Sequence, residues 1–420
     1  MEDKIRFFLS RTAERLWVKP LIVCLISVLV AFVAQLFDQL ALVQNVPDVK
    51  TESITMLLKI ISASMLVMAV FAVGTMLAAY QSASSSATPR AFTLVVSDDV
   101  SQNALSTFIG AFIFSIVSQV ALINGYYEKA GKFVLFIITI IVFVIVIMGF
   151  IKWVDSIARL GRLSTTIAKV EKATADALNR RAEKPYLGGT KADQRKEGVP
   201  VYGHTVGYIQ RLDMDLLQET AEREEFLVEI AVLPGTFVTL SQPLAFIRGG
   251  ENMDKGIQNN AITNAFIIDK HRTFDDDPRF GLITLSEIAS RALSPAVNDP
   301  GTAIEIIGIY VRLFTIFAQQ PDVGKQTGVD YDRVAVPELA ISDLFEDAMN
   351  AIARDGAGTI EVVIRHLKAL RTFASFDNED IKNAAIETAS IVMSHAEQAL
   401  KTPAEIAKLQ AVSQRVRTED

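Results

Sequence analysis

The strongest constraint on this chain is four long stretches that are almost free of charge, all within its first 154 residues. Pro20 to Phe37 has no charged residue, and neither has Ile60 to Tyr80, whose apolar character begins at Ile54. Ala104 to Gly125 is uncharged but dotted with Ser, Thr and Gly, and Phe133 to Ile151 is the most apolar of the four. A hydrocarbon core about 30 Å thick takes roughly 20 apolar residues in helical form. A single stretch of this kind also suits a buried core helix. Four in one third of the chain predict a membrane domain over 1–154, with spans at 20–37, 54–80, 104–125 and 133–151. The first stretch follows basic residues but lacks a small-x-small cleavage site, so it reads as a retained span rather than a signal peptide.

Flanking charge sets the expected orientation. Lys4, Arg6, Arg11, Arg15 and Lys19 precede the first span, and Lys152, Arg159, Arg162, Lys169 and Lys172 follow the fourth. By the positive-inside rule both termini of this multi-pass chain are expected in the cytoplasm. The loop from Gln81 to Asn103 should share that side, yet carries only Arg90.

No Asp, Glu, Arg or His lies deep in any span, which argues against a proton relay or ion-coupled transport. In the third span Thr107, Ala111, Ser115 and Ser118 recur at helical spacing. A small, mildly polar stripe allows close helix approach and interhelical hydrogen bonds, the commoner reason for one. It is also what a water-filled path needs along its wall. Ser85, Arg90, Asp98 and Asp99 lie in the loop before it. They would ring a cytoplasmic entrance if copies assembled about an axis, although an acidic pair at that place is also a helix cap.

Beyond the spans, 155–198 reads as a juxtamembrane helix and a Gly- and charge-rich linker, 199–279 as a small β-rich module, and 280–420 as a helical cytoplasmic domain. The expected fold is thus a membrane α-helical bundle of about four transmembrane helices plus an α+β cytoplasmic domain with a C-terminal helical bundle. Leu282–Leu293, Thr302–Ala318, Pro337–Arg354, Thr359–Phe376 and Glu379–Leu400 carry the helical periodicity.

Signals for chemistry are sparse. Asp275-Asp276-Asp277-Pro278 offers oxygen ligands without the alternation of a calcium loop, and Asn298-Asp299-Pro300 reads as a helix cap. Both are expected to be structural turns. The four histidines are scattered, no Walker, dinucleotide or zincin motif occurs, and Cys24 is the single cysteine. No enzyme activity, cofactor or metal is expected. The net charge of -7 gives no footprint for nucleic acid. The expected partners are the lipid bilayer, further copies of the chain as a homo-oligomer, and a ligand or protein of unknown identity.

Several blocks together resemble a known family. They are Ala87-Thr88-Pro89-Arg90, Phe108-Ile109-Gly110-Ala111-Phe112, the turn Leu233 to Val238, Arg272-Thr273 before Phe280-Gly281, and the run from Arg291 to Ala303 holding Ser294-Pro295 and Asn298-Asp299-Pro300. The chain is similar over nearly its whole length to the bacterial membrane protein family catalogued as domain of unknown function 2254. That resemblance implies a bacterial inner membrane, supplies no activity, and leaves Arg291, Ser294, Pro295, Asn298, Asp299 and Pro300 with a structural role. Two functions remain: an oligomeric ion or small-solute conduit gated by its cytoplasmic domain, which the stripe suggests first, and a non-conducting anchor or sensor whose cytoplasmic domain binds a ligand or protein.

Overall fold

The computed structural model describes residues 17–39, 46–96, 99–157, 159, 162–193, 197–249, 255–319 and 328–417. The chain divides into two compact units, Met1–Thr166 and Ile167–Asp420.

Unit 1 is built from α1 (Val18–Gln39), α2 (Thr51–Ser86), the short α3 (Phe92–Val96), α4 (Asp99–Ile123) and α5 (Lys129–Ile157). The four long helices have 22, 36, 25 and 29 residues. At 1.5 Å per residue even the shortest reaches about 33 Å, enough for a hydrocarbon core. They run up-down-up-down with α4 in the middle, packed against α1, α2 and α5. Two apolar layers fill the bundle. One joins Ala31, Ile54, Leu58, Phe114, Leu122 and Leu135, and the other joins Met65, Ala72, Met76, Phe108, Ala111 and Trp153. Trp153 is edge-on to both Phe71 and Phe108, with ring centroids 5.9 and 5.7 Å away. The outward faces are large and apolar, among them Leu25, Leu29, Val67, Phe143 and Ile147.

One polar clamp ties two helix ends of unit 1 together. Asp38, near the end of α1, accepts hydrogen bonds from the backbone N–H groups of Glu128 (2.9 Å) and Gly131 (2.6 Å) at the start of α5. A carboxylate there satisfies orphan donors and complements the positive end of the helix dipole. Gly131 is required by this approach, because a Cβ at that position would run into the Asp38 carboxylate. Nearby, the Tyr127 hydroxyl donates to the Ala31 carbonyl at 2.8 Å.

Unit 2 begins within α6 (Leu163–Glu183). α5 ends at Ile157, and α6, the expected juxtamembrane helix, is a separate element. The buried face of α6, with Ile167, Val170, Thr174, Ala177 and Leu178, belongs to unit 2. The stretch 180–198, expected as a linker, contains β1 (Gly189–Lys191), which pairs in parallel with β8 (Tyr331–Val336). Glycines that signal a turn also sit at the strand's edge, and composition alone does not separate the two.

The remaining strands are β2 (Val199–Tyr202), β3 (Gly207–Leu212), β4 (Phe226–Ile230), β5 (Phe237–Val238), β6 (Pro243–Gly249) and β7 (Phe266–Asp269). A five-stranded mixed sheet has the order β1-β8-β4-β6-β2, and a three-stranded antiparallel sheet the order β5-β3-β7. β2 and β3, neighbours in the chain, therefore lie in different sheets. With α7 (Met214–Arg223) and α8 (Lys255–Asn264) the sheets bury one core, including Val201, Ile209, Leu217, Val228, Leu244, Ile247, Ile262 and Val334. Because β8 lies far along the chain, the β structure is not confined to 199–279.

The helical part comprises α9 (Pro278–Ala292), α10 (Pro300–Ala318), α11 (Ile341–Asp355), α12 (Ile360–Ala374), α13 (Glu379–Ala399) and α14 (Pro403–Arg417). Phe314, Phe345 and Phe373, from α10, α11 and α12, stack with centroids 4.7 to 5.4 Å apart. Among the described residues five helices are long and apolar enough to cross a membrane: the four of unit 1 and α10. α10 differs from the others in packing against α9 and α12 with Ile306, Ile307, Tyr310, Leu313 and Phe314 buried.

Two predictions come from this packing. Asp38→Ala should lower the thermal stability of the full chain in detergent by about 1–2 kcal/mol, because the N-terminal donors of α5 lose their acceptor. The second concerns His366 on α12, which is fully buried, with no hydrogen-bond partner for Nε2 among the described residues. Burial disfavours the imidazolium and lowers its pKa from 6.5 to about 4. The unfolded chain then binds the extra proton between those two values, so stability falls as pH drops from 6.5 toward 4. At pH 5 the loss from this one group is roughly 2 kcal/mol. His366→Leu should remove it: melting curves at pH 7.5 and pH 5 should show the variant gaining on the wild type by that amount.

Candidate functional site

The first candidate is the stripe on α4. Its residues share a helix, and α1, α2 and α5 enclose it. Ala111 is buried in the layer with Met65, Phe108 and Trp153. Ser115 and Ser118 are fully buried, and Ser115 Oγ has no hydrogen-bond partner among the described residues. Thr107 is half-buried, donates to the Asn103 carbonyl at 2.8 Å, and stands beside Gly149 of α5. Close approach explains the small side chains: Gly110 lies against Val23 and Ser27 of α1. In a single chain, then, the stripe is the seam of the bundle.

The proposed entrance is only partly described. Arg90 is exposed on the turn after α2, and the Arg90 carbonyl accepts from Thr93 Oγ1 at 3.3 Å. Ser85 belongs to the last turn of α2 and Asp99 opens α4. Asp98 lies outside the described residues. Around them the turn is packed rather than loose, with Ala87, Thr88, Ala91 and Val95 buried and Phe92 edge-on to Tyr80 at 5.9 Å.

The second candidate is in unit 2, where the acidic run joins a set of arginines. Asp277 caps α9 by accepting from the Phe280 N–H at 3.2 Å, with Pro278 at the first helical position. Its carboxylate is also gripped bidentately by Arg272, at 2.7 and 2.9 Å. The Leu233 to Val238 turn closes over it. Gly235 has φ +90, and a Cβ there would collide with the Asp277 carboxylate, so both backbone and space demand glycine. Asp276 faces Arg211 at 3.9 Å, and Arg180 donates to the Asp275 carbonyl. Arg181 is buried at 4% exposure and donates to the Pro185 carbonyl at 3.2 Å. Burial pulls its pKa down to about 10, opposed by Asp276 and Asp277. Burial likewise raises the Asp277 carboxyl, against the pull of the Arg272 fork and the Phe280 N–H.

This node pairs its charges internally. The Asp276 and Asp277 carboxylates are met by arginines and a backbone N–H, and the Asp275 carbonyl by Arg180, which fits the turn role expected for Asp275 to Asp277. Among the described residues no cluster of three or more His, Cys, Asp or Glu side chains is placed to hold a metal. Nothing near Arg181 or Gly235 in the sequence marks them as parts of it, whereas Arg272 stands five residues before Asp277. The available signal was Asp277-Pro278, which repeats the cap-and-proline grammar of Asp299-Pro300.

The family run is a second such corner. Asp299 caps α10, accepting from the Thr302 N–H at 3.1 Å and the Thr302 hydroxyl at 2.6 Å, and these two donors hold its carboxyl below the usual range. Asn298 takes the left-handed φ of 51, and its N–H donates to the Ser294 carbonyl at 2.8 Å. Ser294 Oγ donates to the carbonyl of Arg291 at 2.7 Å. Pro295 is exposed, and Pro300 begins α10. The six residues therefore build the α9–α10 turn.

Removing one member of the buried pair should be far worse than removing a surface charge. Asp277→Ala leaves Arg272 unpaired and α9 uncapped, and should destabilise unit 2 by about 3–5 kcal/mol, read as a lowered melting temperature of the full chain.

Comparisons with known proteins agree with this architecture. Residues 13–372 match the model of a family described as "Predicted membrane protein", domain of unknown function 2254. Uncharacterised proteins of Mycobacterium bovis and Mycobacterium tuberculosis are 33% identical over 116 residues, a segment covering 26% of this chain and 22% of each relative. The match thus spans about a fifth of the length of those curated relatives. No solved structure matches. Four long apolar helices, the Leu-Pro-Gly turn over Asp277 and the Asn298-Asp299-Pro300 corner stand in a chain whose match runs over most of its length, and the protein belongs to this predicted membrane protein family of unknown function.

Proposed function

We propose that the protein crosses the bacterial inner membrane four times with both termini in the cytoplasm, that unit 1 is a packed anchor, and that unit 2 binds a ligand or protein partner. The observation that carries this reading is the enclosure of the α4 stripe. A pore wall shared between copies of the chain needs a polar face free of the chain's own helices. Here Ser115 and Ser118 are wholly covered, while the outward faces carry large apolar side chains that suit lipid. α10 is counted as a core helix of unit 2 because it bears Glu305 and Arg312 and packs against α9 and α12. The orientation rests on Lys152, Arg159 and Arg162 after α5.

One observation favours the second reading, an oligomeric conduit for an ion or small solute gated by unit 2. Ser115 Oγ is a buried hydroxyl without a partner among the described residues, and such a group is costly in an apolar interior unless water or another polar group reaches it. The two readings part in one experiment. Full-length protein in liposomes should give no ion flux above that of empty vesicles. A flux that Ser115→Leu abolishes would replace the anchor with the conduit.

A further inference from the structure

We propose that the end of unit 1 where α5 terminates is a binding surface for anionic phospholipid. This rests on the reading of unit 1 as embedded in the membrane. The two ends of the bundle differ in charge among the described residues. At the end holding the start of α4 and the end of α5 stand Lys19, Arg90, Lys152, Arg159 and Arg162, against only Asp99 and Asp155. At the opposite end Lys50, Lys59, Lys129 and Lys132 are balanced by Asp38, Asp48, Glu52 and Glu128.

The cations of the first end are not all committed to the protein. Asp155 engages Arg159 at 2.9 Å, with both side chains exposed. Lys152 and Arg162 are exposed and have no ion-pair partner among the described residues. Phosphate is the anion that a membrane surface presents to such groups, and Arg and Lys both bind it.

A second feature lies at the same end. α2 and α5 leave an open cleft of about 290 Å³ lined by Thr75, Ala78, Ala79, Ser82 and Ile157. Tyr80, a side chain type that favours the interface, lies within a turn of it along α2. A cleft of small and aliphatic side chains with two hydroxyls, at the same end as Lys152 and Arg162, offers an acyl chain and its phosphate places on one molecule. A neutral headgroup would gain from the cleft alone.

Native mass spectrometry of the full chain released from nanodiscs containing equal phosphatidylglycerol and phosphatidylcholine reads this directly. Phosphatidylglycerol adducts should dominate, and Lys152→Gln with Arg162→Gln should reduce that preference by roughly five-fold per cation removed. Lys129→Gln with Lys132→Gln, at the balanced end, should leave it unchanged. Equal retention of both lipids by the wild type, or equal loss in both double variants, would overturn the proposal. Sedimentation of the same proteins with membranes reads the embedding of unit 1 separately, so a membrane-bound chain without lipid preference defeats this inference alone.

Discussion

Unit 1 depends on one constraint: α4 must lie close to three other helices at once. Lipid gives no hydrophobic drive for helices to associate, so contact has to come from tight packing and from polar groups shared within the bundle. Gly110 against Val23 and Ser27, Ala111 in its apolar layer, and Ser115 and Ser118 in the interior meet that demand with small side chains. Larger residues at these places would force α1, α2 or α5 away. The Asp38 clamp and the Tyr127 hydroxyl then fix one end of the bundle, and the Trp153 stack fixes the other.

Unit 2 solves a different problem, because it buries charge as well as apolar surface. Asp277 is at once the cap of α9, the partner of Arg272 and the floor beneath Gly235. Burying a carboxylate is expensive, and it is tolerated here because its oxygens are met by the guanidinium and a backbone N–H. Arg180 and Arg181 bring the end of α6 to the same place, so the first helix of unit 2 is joined to the acidic turn that starts its helical part. Specific placement rather than raw stability is the natural role of such a node. The α9–α10 corner repeats the device more cheaply, with Asp299 exposed enough to need only Thr302.

Much of this was legible in the sequence where the signal is local. The apolar stretches appear as long helices, three of them extending past both ends of the segment read from charge alone, while α4 starts earlier but stops at Ile123; Asp299-Pro300 caps a helix, and the five helical periodicities after residue 280 each fall on an observed helix. What escaped was non-local. β8 has an ordinary alternating pattern, but nothing near Tyr331 says that it lies between β1 and β4. The stretch around Gly189 looks like a linker because its strand is held by a partner some 140 positions away, Tyr331 to Val336. The stripe on α4 was visible as a pattern, yet a pattern of small residues is the same for a seam and a pore wall.

By itself the sequence determined the class of this protein: apolar length and absence of charge require helices that a membrane can hold, since backbone groups in lipid must be satisfied within the segment. It also determined the turns, because caps and prolines act over three or four residues. Only the tertiary structure decided which faces are covered. It placed Ser115 inside the bundle, drew Arg180 and Arg181 to the acidic turn, and sent the neighbouring strands β2 and β3 to different sheets. Those outcomes depend on contacts between residues distant in the chain, where burial and charge pairing are properties of the assembled fold and not of any segment.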